Sequence, residues 1–194
     1  MLPAVSADSL SEDFEDQVAN GIDSSNSWVI SSNNPITGSY SYEYDSEFDT
    51  AFFWDSVRNL DSDDQIVFRA DIRWESNVGF VCQQGIGMTN NAFGNPVGSN
   101  DQMLKICLDD DDSVYASTFD SNGDFLGNIN IVPAGVINFS QVYEYEIKAY
   151  PANDTVVYTI THNNGTVVGS NSITAGVDTV PTNYQRAGVQ GENF

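Results

Sequence analysis

Three carboxylates alternate along one short segment, because Glu43, Asp45 and Glu47 are each separated by a single residue. In a β-strand, residues at this spacing project from the same face. Two carboxyl groups about 5 Å apart at a sugar linkage can perform retaining glycoside hydrolysis. A solvated acidic strand face accounts for the same spacing without any chemistry. The segment therefore predicts either a set of catalytic acids or the exposed side of a strand.

Clusters of aspartate in turn-like segments point to a second kind of chemistry, the binding of a cation. Calcium is held by several oxygen ligands, and the chain offers four consecutive aspartates at positions 109–112. In an extended chain only alternate members of that run face the same way, 109 with 111 or 110 with 112. A second cluster, at positions 120–124, is equally explained as a hairpin turn. We expect calcium to be bound, with these candidate ligands: Asp109, Asp111, Asp120, Asn122 and Asp124.

Aromatic and amide side chains are the third group of residues that could bind a ligand. Sugar rings stack on aromatic faces, while Asn and Asp take the hydroxyl groups. Core packing accounts for most aromatics here, and Tyr143 and Tyr145, which would share a strand face with Ile147, are expected in the core. The polar stretch 89–101 is expected to be a loop, and long loops on a rigid scaffold often carry binding sites. The candidate ligand-binding residues are Trp28, Trp74, Phe93 and Asn95.

Composition narrows the classes of protein that can hold such sites. The 194 residues include 28 acids but only 6 Lys and Arg, so the formal net charge is -22. This balance excludes a basic nucleic-acid footprint. The sequence has no apolar run of about 18 residues, so no membrane insertion is expected. Such acidity is best tolerated where salt or divalent cations neutralise it, so we expect an extracellular, cell-surface or virion-surface setting, although acidity that only maintains solubility fits too.

Two further features agree with that setting. Cys82 and Cys107 make an even pair in neighbouring strand-like segments, which suits one cross-strand disulfide, with two buried free thiols as the alternative. Residues 1–12 are expected to form a flexible leader, either the remnant of a signal peptide or a strand that pairs with a neighbour.

The elements that must position these residues are strands. Short alternating segments are separated by Gly, Asn, Asp and Pro, without a sustained helical period. In residues 65–74, Ile66, Phe68, Ala70, Ile72 and Trp74 share one face. Asn-Gly pairs at 122–123 and 164–165 predict two hairpins. We expect residues 13–194 to form one all-β domain, an antiparallel two-sheet β-sandwich or jelly roll. The strands are expected at residues 39–44, 51–54, 65–74, 79–84, 102–108, 114–119, 142–150, 155–161, 166–171 and 185–190.

The order of these features resembles the concanavalin A-like lectin and glucanase superfamily, including laminin-G-like domains and carbohydrate-binding modules. The resemblance covers residues 13–194 as a pattern of spacing. It implies a β-sandwich, and it leaves the activity open because the superfamily contains lectins, adhesins, lyases, glycosidases and structural domains. The features that carry it are the acidic entry at 13–16, Trp28, the Gly-Ser-Tyr-Ser at 38–41, strand 65–74 with Gly79-Phe80, strand 143–150 and the hairpin at 164.

Two local patterns resemble enzymes of that superfamily. Residues 43–47 fit the E-x-D-x-E pattern of laminarinase-like glycosidases, which would make Glu43 the nucleophile, Asp45 an assisting group and Glu47 the acid/base. Residues 184–189 are similar to the Tyr-x-Lys-x-Gly strand of alginate lyases.

Three functions follow as expectations. The first is a non-catalytic lectin-like or adhesin-like module that recognises a glycan or surface polymer with the support of calcium. The second is a self-assembling structural subunit of a surface appendage, sheath or virion, which would form homo-oligomers through its edge strands. The third is a polysaccharide-degrading glycosidase or lyase.

Overall fold

The fold was analysed in a computed structural model of the chain. It describes the following residues: 15–17, 22–24, 28–33, 35–36, 38–39, 41–44, 49–53, 58–59, 65–74, 84–89, 103–119, 125–174, 183–184 and 186–191. Within these ranges the structure is strands and turns with one short 3-10 helix, η1 (Pro151–Asn153). No helix in the described ranges is long and apolar enough to cross a membrane.

The strands are β1 (Ile22–Ser24), β2 (Trp28–Ser31), β3 (Ser41–Tyr44), β4 (Asp49–Phe53), β5 (Arg58–Asn59), β6 (Ile66–Arg73), β7 (Gln84–Thr89), β8 (Met103–Leu108), β9 (Val114–Phe119), β10 (Phe125–Val132), β11 (Val142–Tyr150), β12 (Thr155–His162), β13 (Val167–Thr174), β14 (Asn183–Tyr184) and β15 (Arg186–Gly191).

Two main antiparallel sheets pack face to face. One has seven strands in the order β1-β4-β15-β7-β8-β9-β10, and the other has four in the order β13-β12-β11-β6. Two small pairs, β2-β3 and β5-β14, accompany them. The expectation of an all-β, antiparallel two-sheet sandwich is confirmed.

Strict alternation of apolar residues explains the four-stranded sheet. In β12 the inward residues Val156, Tyr158 and Ile160 are fully buried, while the residues between them are partly exposed. Tyr143 and Tyr145 of β11 are 3% and 1% exposed, so their expected place in the core is confirmed. The seven-stranded sheet supplies the other half of the core. Its fully or almost fully buried inward side chains include Ile86, Met88, Leu104, Ile106, Leu108, Val114 and Ala116.

Both predicted hairpins join strands that do pair. β12 and β13 are antiparallel neighbours, and Gly165 at their turn has a φ of 85°, which favours glycine. The side chain of Asn164 accepts a hydrogen bond from the Thr166 N–H at 2.9 Å. β9 and β10 also pair, from Phe119 opposite Phe125 onward, whereas the Asn-Gly pair itself lies outside the described residues.

Three strands of the seven-stranded sheet, β1, β7 and β10, were not expected. β7 (Gln84–Thr89) shares only Gln84 with the expected strand 79–84, whose other residues lie outside the described ranges. Gly85 of β7 is required by packing, because a Cβ there would collide with the Ile106 carbonyl oxygen of β8. β10 carries Gly127, Asn128 and Asn130, and such residues are depleted in strands. The inward Ile131 and Val132 of β10 are nevertheless buried.

The two sheets meet along β10 and β13. A Cβ at Gly169 of β13 would collide with the Ile131 carbonyl oxygen of β10, so the backbones touch where no side chain intervenes. Two residues further on, the side-chain amide of Asn171 donates a hydrogen bond to the Asn130 carbonyl oxygen at 2.8 Å. This closes one side of the sandwich.

Cys107 is fully buried and disulfide-bonded, so the alternative of free thiols is excluded for it. Cys82, the other cysteine of the sequence, and the leader 1–12 lie outside the described residues.

Candidate functional site

The turn between β8 and β9 concentrates negative charge. It spans the aspartates 109–112, and one carboxylate oxygen from each of Asp109, Asp110 and Asp111 lies within 4.8 Å of the other two. Asp110 and Asp111 are exposed to solvent. Three oxygens at this spacing could contribute part of the coordination sphere of a hard cation such as calcium.

Hydrogen bonds fix the shape of this turn. The Asp109 N–H donates to the Ser113 carbonyl oxygen at 2.9 Å, and the Asp112 N–H donates to the Asp109 carbonyl oxygen at 3.1 Å. Asp112 has a φ of 65°, in the left-handed region that Asp tolerates better than most residues. The Asp111 carboxylate accepts a hydrogen bond from the Ser113 N–H at 2.9 Å. Hydrogen bonds from Ser113 hold the pKa of Asp111 below its ordinary value, so this group stays charged.

The turn differs from the sequence expectation in one respect. Asp109 and Asp111 do come together as expected, but Asp110 joins them. Strict alternation holds only in an extended chain, whereas this segment reverses direction between two paired strands. Sequence reasoning missed Asp110 for that reason, although the pairing of the flanking segments could have identified the turn.

The acidic turn also affects the outward face of the seven-stranded sheet. Tyr115 of β9 is 6% exposed and faces away from the core. Burial raises the pKa of its hydroxyl, and the charges of Asp109 and Asp110 raise it further. Tyr115 therefore stays protonated, with a hydroxyl near the acidic turn that is able to donate a hydrogen bond.

One row of directly opposed residues crosses the middle of that outward face. It runs from Asn128 through Ser117 and Lys105 to Gly87 and Gly188 on the successive strands β10, β9, β8, β7 and β15. Ser117 is buried and donates a hydrogen bond to the Asn128 side-chain oxygen. Burial lowers the pKa of the Lys105 amine to about 8. The row thus places one amine and two hydrogen-bonding side chains beside two residues without side chains.

Trp74 is not a surface aromatic, and its assignment as a ligand-binding residue is wrong. It is 8% exposed, and its indole N–H donates a hydrogen bond to the buried Tyr145 hydroxyl at 3.0 Å. The physical reason is its position directly after β6, in phase with the inward side chains of Phe68 and Ile72.

Other sequence-predicted site residues stay predictions. Glu43 lies in β3 opposite Val29 of β2, and Trp28 begins β2, but only their backbones are described. The remaining candidates lie outside the described residues: Asp45, Glu47, Phe93, Asn95, Asp120, Asn122 and Asp124.

The sequence matches no protein-family model and no curated protein. Solved structures do share its architecture. The Ulex lectin UEA-II complexed with galactose is 10% identical, with a TM-score of 0.51 over 85% of this chain and 84% of the lectin chain. The enzymatically active domain of bacteriophage CBA120 tailspike protein 2 is 13% identical, with a TM-score of 0.55 over 88% of this chain. A sialidase is 10% identical, with a TM-score of 0.56 over 95% of this chain.

The chain has the concanavalin A-like β-sandwich fold. At these identities the similarity establishes the fold alone, as the spacing of sequence features implied. The match covers 25% of the tailspike chain and 15% of the sialidase chain, against 84% of the lectin chain.

Proposed function

We propose that this chain is a lectin-like binding module that recognises a glycan or surface polymer outside the cell or on a cell or virion surface, and that calcium supports the binding. The observation that supports the proposal is the fold match to the Ulex lectin UEA-II complexed with galactose, which covers 85% of this chain and 84% of the lectin chain. The matches to the sialidase and the tailspike cover 15% and 25% of those chains.

The acidic turn between β8 and β9 is the calcium site in this proposal. The oxygens of Asp109, Asp110 and Asp111 are preassembled within 4.8 Å of one another, and hydrogen bonds of the turn hold the backbone in that shape. A bound cation would relieve the repulsion between three neighbouring carboxylates. Asp120, Asn122 and Asp124 are proposed as a second group of ligands on the basis of their spacing in sequence.

For the glycan we propose contacts from Trp28, Phe93 and Asn95, which combine two aromatic faces with an amide. Their residue types suit stacking on a sugar ring and hydrogen bonding to its hydroxyls. Trp74 no longer belongs to this set, because it is part of the core.

The test is a glycan array probed in millimolar calcium and again in chelator, followed by calorimetry of the best ligand. We expect a defined family of sugars to bind, and the double variant Asp110→Asn, Asp111→Asn to lose the calcium-dependent part of that binding. Asp71→Asn is the matched control, because it removes one exposed carboxylate from β6 in the other sheet. A blank array in calcium would overturn the lectin proposal, and equal affinity in chelator would overturn the role of calcium.

A second candidate function, polysaccharide cleavage, is favoured by the similarity to an enzymatically active tailspike domain and to a sialidase. Glu43, Asp45 and Glu47 are the residues it would use, as nucleophile, assisting group and acid/base. Incubation of the bound glycan with the chain, with new reducing ends measured over time, tests it. Release that Glu43→Gln and Glu47→Gln abolish would favour the enzyme, whereas an intact glycan would favour the binding module.

A further inference from the structure

Three asparagines have the sequence context of N-linked glycosylation, a sequon of the form Asn-x-Ser/Thr in which x is not proline. The three sequons are Asn138-Phe139-Ser140, Asn153-Asp154-Thr155 and Asn164-Gly165-Thr166. All of them fall within residues 138–166, and no asparagine outside that segment begins such a tripeptide. We call Asn138, Asn153 and Asn164 the sequon asparagines.

The structure places all three sequon asparagines in exposed connections between strands. Asn138 lies between β10 and β11, Asn153 ends η1, and Asn164 is in the turn between β12 and β13. Because β11 and β12 are antiparallel, the first and the last of these connections lie toward one end of the four-stranded sheet, and η1 lies at the other. A bulky group attached at any of the three positions therefore stands clear of the strand pairing.

The side-chain nitrogen that would carry a glycan is available at each position. Within the described ranges, the Nδ2 of none of the three sequon asparagines donates a hydrogen bond. At Asn164 the turn uses Oδ1, which accepts the Thr166 N–H at 2.9 Å, and a glycan-linked asparagine keeps that oxygen. Asn171 is the contrast, because it is exposed but its Nδ2 donates to the Asn130 carbonyl oxygen at 2.8 Å.

Two exposed apolar side chains are close sequence neighbours of these asparagines. Val136 is 45% exposed and lies two residues before Asn138, and Val167 is 56% exposed and lies three residues after Asn164. Glycans are bulky and solubilising. A glycan on the neighbouring asparagine would shield such a side chain from water and from other chains.

We propose that Asn138, Asn153 and Asn164 are acceptor sites for N-linked glycans. The inference rests on the extracellular or surface setting of the proposed function, because the modification is made on secreted chains. The second substrate is a lipid-pyrophosphate-linked oligosaccharide. The Nδ2 nitrogen forms a bond to the anomeric carbon of the sugar as the bond from that carbon to the pyrophosphate oxygen breaks. The lipid pyrophosphate leaves with the bonding electron pair, and one amide proton is released.

The test is secretion of the full chain from a eukaryotic host, followed by mass spectrometry of the intact chain and of its peptides. An amidase that releases N-linked glycans converts each linked Asn to Asp, and heavy-oxygen water distinguishes this conversion from spontaneous deamidation. We expect labelled Asp at all three positions. Three variants, Ser140→Ala, Thr155→Ala and Thr166→Ala, should each lose the mass of one glycan and keep the other two. A secreted chain without sugar overturns the inference, and an unlabelled asparagine overturns its own site.

Thr166→Ser is the matched control, because it keeps both the sequon and the backbone N–H that bonds to Asn164, so the glycan should persist. Asn163 is exposed beside Asn164 but begins no sequon, and it should stay unmodified in every sample. For a variant that is not secreted, occupancy is measured on chain translocated into microsomes, which does not require the variant to be secreted. A blank glycan array with occupied asparagines would refute only the binding proposal, whereas bare asparagines with a positive array would refute only this one.

Discussion

The indole N–H of Trp74 donates a hydrogen bond to the Tyr145 hydroxyl at 3.0 Å, and the two rings meet edge to face with their centroids 6.3 Å apart. Both side chains are buried, and burial raises the pKa of Tyr145, so its hydroxyl stays neutral. The contact ties the end of β6 to the middle of β11. It satisfies the one polar group of the tryptophan inside the core.

Tyr145→Phe should therefore lower the free energy of unfolding by about 1–3 kcal/mol, because it leaves the buried indole N–H without an acceptor. Tyr150→Phe, at the partly exposed end of the same strand, is the matched control and should change stability much less. Urea unfolding followed by circular dichroism measures both. Equal effects of the two substitutions would contradict the role given to the hydrogen bond.

A second buried hydroxyl is in the opposite situation. Tyr158 is fully buried, and its hydroxyl has no hydrogen-bond partner among the described residues. An unsatisfied buried hydroxyl costs about 1–3 kcal/mol of stability, so Tyr158→Phe should stabilise the fold by an amount in this range. Urea unfolding gives the value. A loss of stability would mean that the hydroxyl has a partner, such as an ordered water.

The sequence carried enough information for the four-stranded sheet, because β6, β11 and β12 alternate apolar and polar residues and one face of each is buried. The same alternation placed Trp74 in phase with Phe68 and Ile72, so its buried position was available from the pattern. β7 could not be predicted in this way. Its Gly85 is explained by a backbone approach to Ile106, which is a property of the packed sheet and not of the local sequence.

The candidate metal centre could be predicted only in part, because it too depends on contacts that form in the folded chain. Composition identified the aspartate run, but the set of three carboxylates depends on where the chain turns. Asp110 joins Asp109 and Asp111 because hydrogen bonds from Asp109 and Asp112 close a tight reversal. Such backbone contacts follow from the pairing of β8 with β9, which single-residue preferences do not specify.

A buried carboxylate on the outward face of the four-stranded sheet should give a pH-dependent contribution to stability. Glu146 has a side chain only 9% exposed, and it accepts hydrogen bonds from Arg69 at 2.5 Å and from Lys148 at 2.8 Å. Burial acts to raise the pKa of Glu146, but the hydrogen bonds from Lys148 and Arg69 outweigh it, and the pKa lies below its ordinary value of 4.5. The stabilisation is therefore complete above about pH 4.5 and is lost as the pH falls through the lower, folded-state pKa.

We expect Glu146→Gln to cost about 1–3 kcal/mol at neutral pH and progressively less below pH 4.5, where the native carboxylate becomes protonated. Glu144→Gln is the control from the same strand face, since that residue is partly exposed. Urea unfolding at neutral and acidic pH provides the comparison. A difference between native and Glu146→Gln that does not shrink in acid would refute the assignment.

The junction of the two sheets provides a test of packing. A Cβ on Gly169 would lie 2.6 Å from the Val132 side chain and would also collide with the Ile131 carbonyl oxygen. Backbone cannot yield as a flexible side chain does, so Gly169→Ala should destabilise the fold by about 1–3 kcal/mol through overpacking. Ser172→Ala, at an exposed position of the same strand, should be nearly neutral. Thermal unfolding that is equally affected by both would argue against the close approach.

We expect Asp110→Asn in the acidic turn to stabilise the chain in chelator but to weaken its binding of calcium. In chelator, Asp110→Asn removes one of three mutually repelling carboxylates, so it should raise the melting temperature slightly, and less at high salt where the charges are screened. In calcium, the same substitution removes a ligand oxygen's charge and should weaken calcium binding about tenfold or more. Differential scanning calorimetry and calcium titration of the native chain, Asp110→Asn and the control Asp71→Asn separate the two effects. If Asp110→Asn leaves calcium affinity unchanged, the turn is not the metal centre, and its carboxylates contribute only charge to an already acidic surface.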